Sequence, residues 1–200
     1  MLTYATLWRV LARDSGAGRA RGALRAWDAW ERVSEWIWPI QPIPGARSGI
    51  LRIRLAPYRG SAIRLRDGTV VHRGAVIGHI HLNNMVAASI TAESLWQLHH
   101  MAVDDLHALA AWIQRQSPTD RPIALYGRTL LGHAARRVGF SSSPCATTPG
   151  MLLFRLYLHG LIVMHSAEGW RRMRRGHVRS APCSDIWMST NEFLRRYGNK

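Results

Sequence analysis

Two short stretches carry the side chains best suited to chemistry: His81-Leu82-Asn83-Asn84 and Tyr126-Gly127-Arg128-Thr129. Each follows an apolar segment that reads as a strand. Each leads towards a helix start, near Thr91 and near Thr129. The unpaired N–H groups and the dipole of a helix N-terminus favour an anion. Arg128 adds a fixed positive charge. His81 has the side chain of a general base, and Asn83 or Asn84 can orient a substrate. His81 is therefore the candidate catalytic residue, and Asn83, Asn84, Tyr126, Arg128 and Thr129 are the candidate ligand-binding residues. A plainer explanation stands beside this one, in which the asparagines cap a turn and His81 is a hydrogen-bonded structural group.

Other constellations are weaker. His79 and His81 place two imidazoles on one strand face, which is the start of a metal site. A third ligand is needed, and nothing fixes the distance to His72, His99 or His100. With 10 histidines in 200 residues a chance pair is expected, so no metal is predicted. No Ser/His/Asp order, P-loop or GxGxxG is present, and Ser141-Ser142-Ser143 is turn composition. No motif names a reaction, and no cofactor is implied. Cys145 and Cys183 show neither framework spacing nor a CxxC, which fits a reduced compartment.

The elements that must position these residues follow from periodicity. Residues 3–13 and 23–38 read as helices. In the second, Trp27, Trp30, Val33 and Ile37 fall on one side and Asp28, Glu31, Arg32 and Glu35 on the other. Such a face is core, or an interfacial helix lying on a membrane. The prolines of 39–49 make a linker. In ILRIRL, Leu51, Ile53 and Leu55 alternate with Arg52 and Arg54, a half-buried strand. IRLR, Asp67-Gly68 and TVVH form a hairpin with a type I′ turn. In VIGHIHLNN, Val76, Gly78, Ile80 and Leu82 share one face and Ile77, His79 and His81 the other. Residues 91–116 are the clearest helix, stepping through Leu95, Leu98, Ala102, Leu106, Leu109 and Ile113. A strand at 122–126, a helix from near Thr129 to Gly139, a polar loop at 141–150 and an apolar helix at 151–164 follow. Ser189-Thr190-Asn191-Glu192 is a capping box that opens a helix through Tyr197.

The predicted fold is one α+β domain with a mixed sheet, an antiparallel meander plus one β-α-β crossover from 76–82 to 122–126, with packed helices. Its parts are an N-terminal helical segment and linker (1–44), an α/β core (45–140) and a mainly helical C-terminal segment (141–200).

Composition bounds the partners. The chain has 47% hydrophobic residues and a formal charge of +15, from 27 basic and 12 acidic residues. That excludes a disordered tail, a collagen-like repeat and a disulfide scaffold. All but one of the basic residues, Lys200, are arginines. An arginine-rich genome explains this as well as an anionic partner does. The densest run is Arg171, Arg172, Arg174, Arg175, His177 and Arg179. The N-terminus is a poor signal peptide, and no apolar stretch reaches the roughly 20 residues of a membrane span. The expectation is a cytoplasmic protein, with a peripheral place on the inner membrane left open. Nucleic acid is disfavoured as a partner, because the aromatics cluster in the N-terminal helix and do not interleave with arginine on the strands.

ILRIRLAPYRG, IRLRDGT, GHIHLNN, YGRTLLGHAARRVGF and IWMSTNEFLRRYG together resemble the bacterial YkoP-like domain family, across most of the chain. The resemblance implies no settled catalytic activity. Related domains occur attached to polysaccharide deacetylases, so it also implies a link to cell-envelope polysaccharide and a polysaccharide-modifying enzyme as partner. The metal motif of those deacetylases is absent here. The order meander, helix, strand, helix ending at Gly139-Phe140 is similar to GNAT acyltransferases. That likeness implies a cofactor between strands 76–82 and 122–126. The glycine loop that holds its pyrophosphate is replaced by NNMVAASITAE. The leading expectation is an accessory domain in envelope polysaccharide or lipid metabolism that binds an anionic small molecule or lipid head group. A GNAT-like acyltransferase with His81 as base and a nucleic-acid-binding protein are the alternatives.

Overall fold

The computed structural model describes residues 40–83, 95–129, 131–145 and 183–198. The chain divides into two compact units, Met1–Ile40 and Gln41–Lys200, and every element below belongs to the second. The helices expected at 3–13, 23–38 and 151–164, the arginine run at 171–179, Thr91 and Asn84 lie outside the described residues.

The strands are β1 (Gln41–Pro42), β2 (Leu51–Pro57), β3 (Ile63–Arg64), β4 (Val70–Val71), β5 (Val76–Leu82), β6 (Ala124–Thr129), β7 (Ser141–Pro144) and β8 (Ser184–Ser189). The helices are α1 (Leu95–Arg115), α2 (Gly132–Arg137) and α3 (Thr190–Tyr197). Six strands form one mixed sheet in the order β1-β2-β5-β6-β8-β7, and β3 pairs with β4 in a second, two-stranded sheet. Among the described strands only β5 and β6 are parallel, joined by the crossover that contains α1. The architecture is α+β with a mixed sheet.

The alternation in β2 and β5 assigns their faces. Ile53, Leu125, Ile186 and Met188 pack with Leu106, Leu109 and Ile113 of α1 and Phe193 of α3 in one core. Gly78 sits under this layer. A Cβ there would stand 2.8 Å from Leu125 Cδ2 and 3.2 Å from Ile53 Cδ1, so its lack of a side chain lets the neighbouring strands fill the space. Asp105 of α1 is fully buried, and its Oδ2 accepts the Leu51 N–H at 3.0 Å. That bond anchors the helix to the start of β2. The capping box forms as expected: Ser189 Oγ accepts the Glu192 N–H at 3.0 Å, satisfying one of the orphan donors at the start of α3. On the opposite face the β3–β4 hairpin buries Leu65 and Val71 against Ile77 and Ala124. Ser189 Oγ also donates to Asp67 of that hairpin.

Several expectations need correction. The strands before α1 are not a simple meander, because β2 pairs directly with β5 and the hairpin forms its own sheet. The Asp67-Gly68 turn is not type I′. Among the described residues positive φ occurs only at glycines, with Gly68 at 88°. Gly68 N–H donates to Leu65 O at 3.0 Å and Leu65 N–H to Thr69 O at 2.8 Å. That is a type I turn closed by a left-handed glycine. The strand expected at 122–126 runs Ala124–Thr129, and the helix expected from Thr129 starts at Gly132. The loop at 141–150 contains β7, and β8 was missed, so the C-terminal segment contributes two strands to the sheet.

Candidate functional site

The sheet face opposite α1 carries a polar surface built row by row. Arg54 pairs with His79, His79 with Tyr126, Tyr126 with Trp187, and Trp187 with Ser141. This single row crosses five strands. In the next row Arg52 pairs with His81, Arg128 with Asp185, and Asp185 with Ser143. The ladder between β5 and β6 ends at His79–Tyr126, although both strands continue for three residues.

The first row is held by ring contacts. His79 meets Tyr126 edge-on at 5.2 Å, and Tyr126 lies 4.5 Å from Trp187 between centroids. His79 and His81 are stacked at 6.4 Å. In the second row Arg128 forks onto Asp185, Nε to Oδ1 at 2.7 Å and Nη2 to Oδ2 at 3.3 Å. Tyr126 Oη donates to the same Oδ1 at 2.7 Å. Burial alone would raise the Asp185 carboxyl, but the Arg128 and Tyr126 hydrogen bonds outweigh it and hold the group below the usual carboxylate range. The Asp185 bond strongly raises Arg128, and burial followed by that carboxylate raises Tyr126. Arg128 is thus balanced by its own counter-charge.

The opposite end of the face carries Arg52 and Arg54 beside the two histidines. Burial, followed by Arg54, lowers His79 to about 4. Burial, His79, Arg54 and Arg52 together lower His81 to about 4. Both imidazoles are neutral at pH 7. Arg54 is itself lowered, by burial and then Arg59, yet a guanidinium starts so high that it stays charged. Arg54 Nε and His81 Nε2 are both buried, without a hydrogen-bond partner among the described residues. Such groups are uncommon, because an unpaired buried donor forfeits its bonds to water.

The structure thus brings His81, Tyr126 and Arg128 to one face and turns Thr129 to the other. Thr129 shares the opposite face with Leu125 and Gly127, and its Oγ1 accepts the Leu131 N–H at 2.9 Å. Asn83 N–H donates to Ile50 O at 2.7 Å and its Nδ2 to Gly49 O at 3.1 Å. It ties the end of β5 to the turn before β2. Asn84 lies outside the described residues. Tyr126 and Arg128 belong to a strand paired along its length with β8, not to a loop beyond a strand end. The short α2 begins at Gly132, three residues beyond the end of β6. Arg54 and Asp185 were missed as site residues. The alternation in ILRIRL already placed Arg52 and Arg54 on one side, but only the β2–β5 register puts that side beside the histidines.

Among the described residues no group of three or more His, Cys, Asp and Glu could hold a metal ion. Among them, too, no helix is long and apolar enough to cross a membrane.

No curated protein and no solved structure matches the chain. The family model of the YkoP domain matches residues 20–197, a span that takes in both strand rows and α3. The resemblance carried by ILRIRLAPYRG, GHIHLNN and IWMSTNEFLRRYG therefore holds, and the chain belongs to the YkoP domain family.

Proposed function

We propose that this domain binds an anionic ligand on the polar face of its sheet, as an accessory domain in bacterial cell-envelope polysaccharide or lipid metabolism. One observation carries the binding part. Arg54 Nε and the neighbouring His81 Nε2 are buried on adjacent strands with no partner among the described residues. A phosphate or carboxylate oxygen placed between them accepts from the guanidinium and from the imidazole in its Nε2–H tautomer. Arg128 serves differently. Its charge is paired with Asp185 of β8, the carboxylate that also accepts from Tyr126. An imidazole near 4 is a weak proton acceptor at neutral pH, which favours binding over general-base chemistry for His81. The envelope part rests on the family resemblance and on related domains attached to polysaccharide deacetylases. A polysaccharide-modifying enzyme is the partner that follows, and a sugar phosphate or an acidic lipid head group is the ligand.

Calorimetry with inorganic phosphate, glucose 1-phosphate, vesicles containing phosphatidylglycerol, and coenzyme A tests this reading. The phosphates or the vesicles should bind in a salt-sensitive way, and Arg54→Gln should weaken binding at least about tenfold, the equivalent of about 1.4 kcal/mol. Binding to vesicles alone would place the protein at the membrane surface. Binding unaffected by Arg54→Gln and His81→Gln refutes the site. Coenzyme A binding without any response to sugar phosphate would make GNAT-like acyl transfer the better reading.

A further inference from the structure

Cys145 and Cys183 stand far apart in sequence and side by side in space. Cys145 follows β7 and Cys183 precedes β8. The two continue the β7–β8 register by one step, with Cys145 N–H donating to Cys183 O at 3.0 Å. By that alternation both side chains share the face of Asp185 and Ser143. Their Sγ atoms are 2.9 Å apart as free thiols. A disulfide needs about 2.05 Å between sulfurs, so less than about 1 Å of movement separates the two states. Hydrogen-bonded antiparallel partners have Cα atoms about 5.5 Å apart, within the span of about 4.4–6.8 Å that a disulfide bridges.

We propose that Cys145 and Cys183 are a dithiol modification site, which a small-molecule disulfide oxidises to an intramolecular bond across the β7–β8 ladder. The inference rests on this placement and stands apart from the ligand reading. Cys145 is half-buried and Cys183 is 4% exposed, so Cys145 is the attacking group. Its thiolate attacks one sulfur of the small disulfide and releases one small thiolate. The Cys183 thiolate then attacks Cys145 Sγ and releases the second. Two electrons pass from the cysteine pair to the small disulfide, and the two cysteine protons end on the departing thiols. Burial, the Cys183 bond and then the Asp185 charge raise the Cys145 thiol, which makes the first step slow at neutral pH and faster as pH rises.

The test treats the reduced full-length protein with oxidised glutathione at pH 8 and follows intact mass, labelling by a maleimide and peptide mapping. The wild type should lose two hydrogens and both labelling sites, keep no glutathione, map to a 145–183 link and revert with dithiothreitol. Cys183→Ser should stop at a glutathione adduct on Cys145. Asp185→Asn should speed the first step. A wild type that stops at the adduct, or keeps both thiols where the urea-unfolded chain oxidises, overturns the proposal.

Discussion

The paired histidines make the pH response of folding a direct check on the charge arrangement of the polar face. His79 and His81 are each held near 4 in the folded chain, first by burial and then by neighbouring positive groups. In the unfolded chain each returns to about 6.5. Between these values the unfolded chain binds more protons than the folded one, so stability falls as pH falls. From pH 7 to pH 5 the linkage relation gives a loss of about 1.8 kcal/mol for each imidazole. Both rings retain some contact with water, which screens the effect, so we expect about 1–2 kcal/mol for the pair together. Asp185 does not interfere, because a lowered carboxyl loses its contribution only below about pH 4. The assay is urea unfolding at pH 7, 6 and 5 for the wild type and for the double variant His79→Gln, His81→Gln. The wild type should lose that much more than the variant. Parallel losses would mean that the imidazoles do not resist protonation. A smaller loss in the wild type would mean that they are stabilised as cations, and the account of the arginine-rich end would be refuted. Inorganic phosphate bound between Arg54 and His81 should flatten the wild-type slope, since an anion favours the protonated ring.

Two carboxylates with different surroundings give two further outcomes. Asp185→Asn should cost about 1–2 kcal/mol in urea unfolding, because charge-assisted bonds to Arg128 and Tyr126 are lost from a pair that is partly in water. It should also bring the Tyr126 phenol down towards its ordinary range in an absorbance titration; a phenol unmoved by the change would contradict the assigned contact. Asp105 Oδ2 accepts the Leu51 N–H while Oδ1 is buried without a partner among the described residues. Asp105→Ala should therefore cost about 2–3 kcal/mol, and Asp105→Asn, which keeps an acceptor for the Leu51 N–H, should stay within about 1 kcal/mol of wild type. Equal losses for the two would show that the acceptor at Leu51 is not what Asp105 provides.

The elements legible in the sequence were those whose signal is local. Alternation in ILRIRL and VIGHIHL assigned the faces of β2 and β5. The 3–4 stepping of apolar residues marked α1, and the capping box marked α3. The strand β8 was not legible, because Ser184 and Asp185 open it as turn residues would. Its strand character comes from pairing with β6 on one side and β7 on the other. Missing β8 also misplaced the site. Without that partner Tyr126-Gly127-Arg128-Thr129 reads as a loop, and a loop sends Arg128 and Thr129 towards one ligand. As a strand the same residues alternate, which puts Arg128 with Asp185 and turns Thr129 away to the opposite face. The anion site moves for the same reason. Arg128 looked like an unbalanced cation only while its counter-charge, 57 residues later, was out of view. Once it is balanced, the cation of this face whose Nε has no partner among the described residues is Arg54, across the sheet, and the histidines are the groups that sense it.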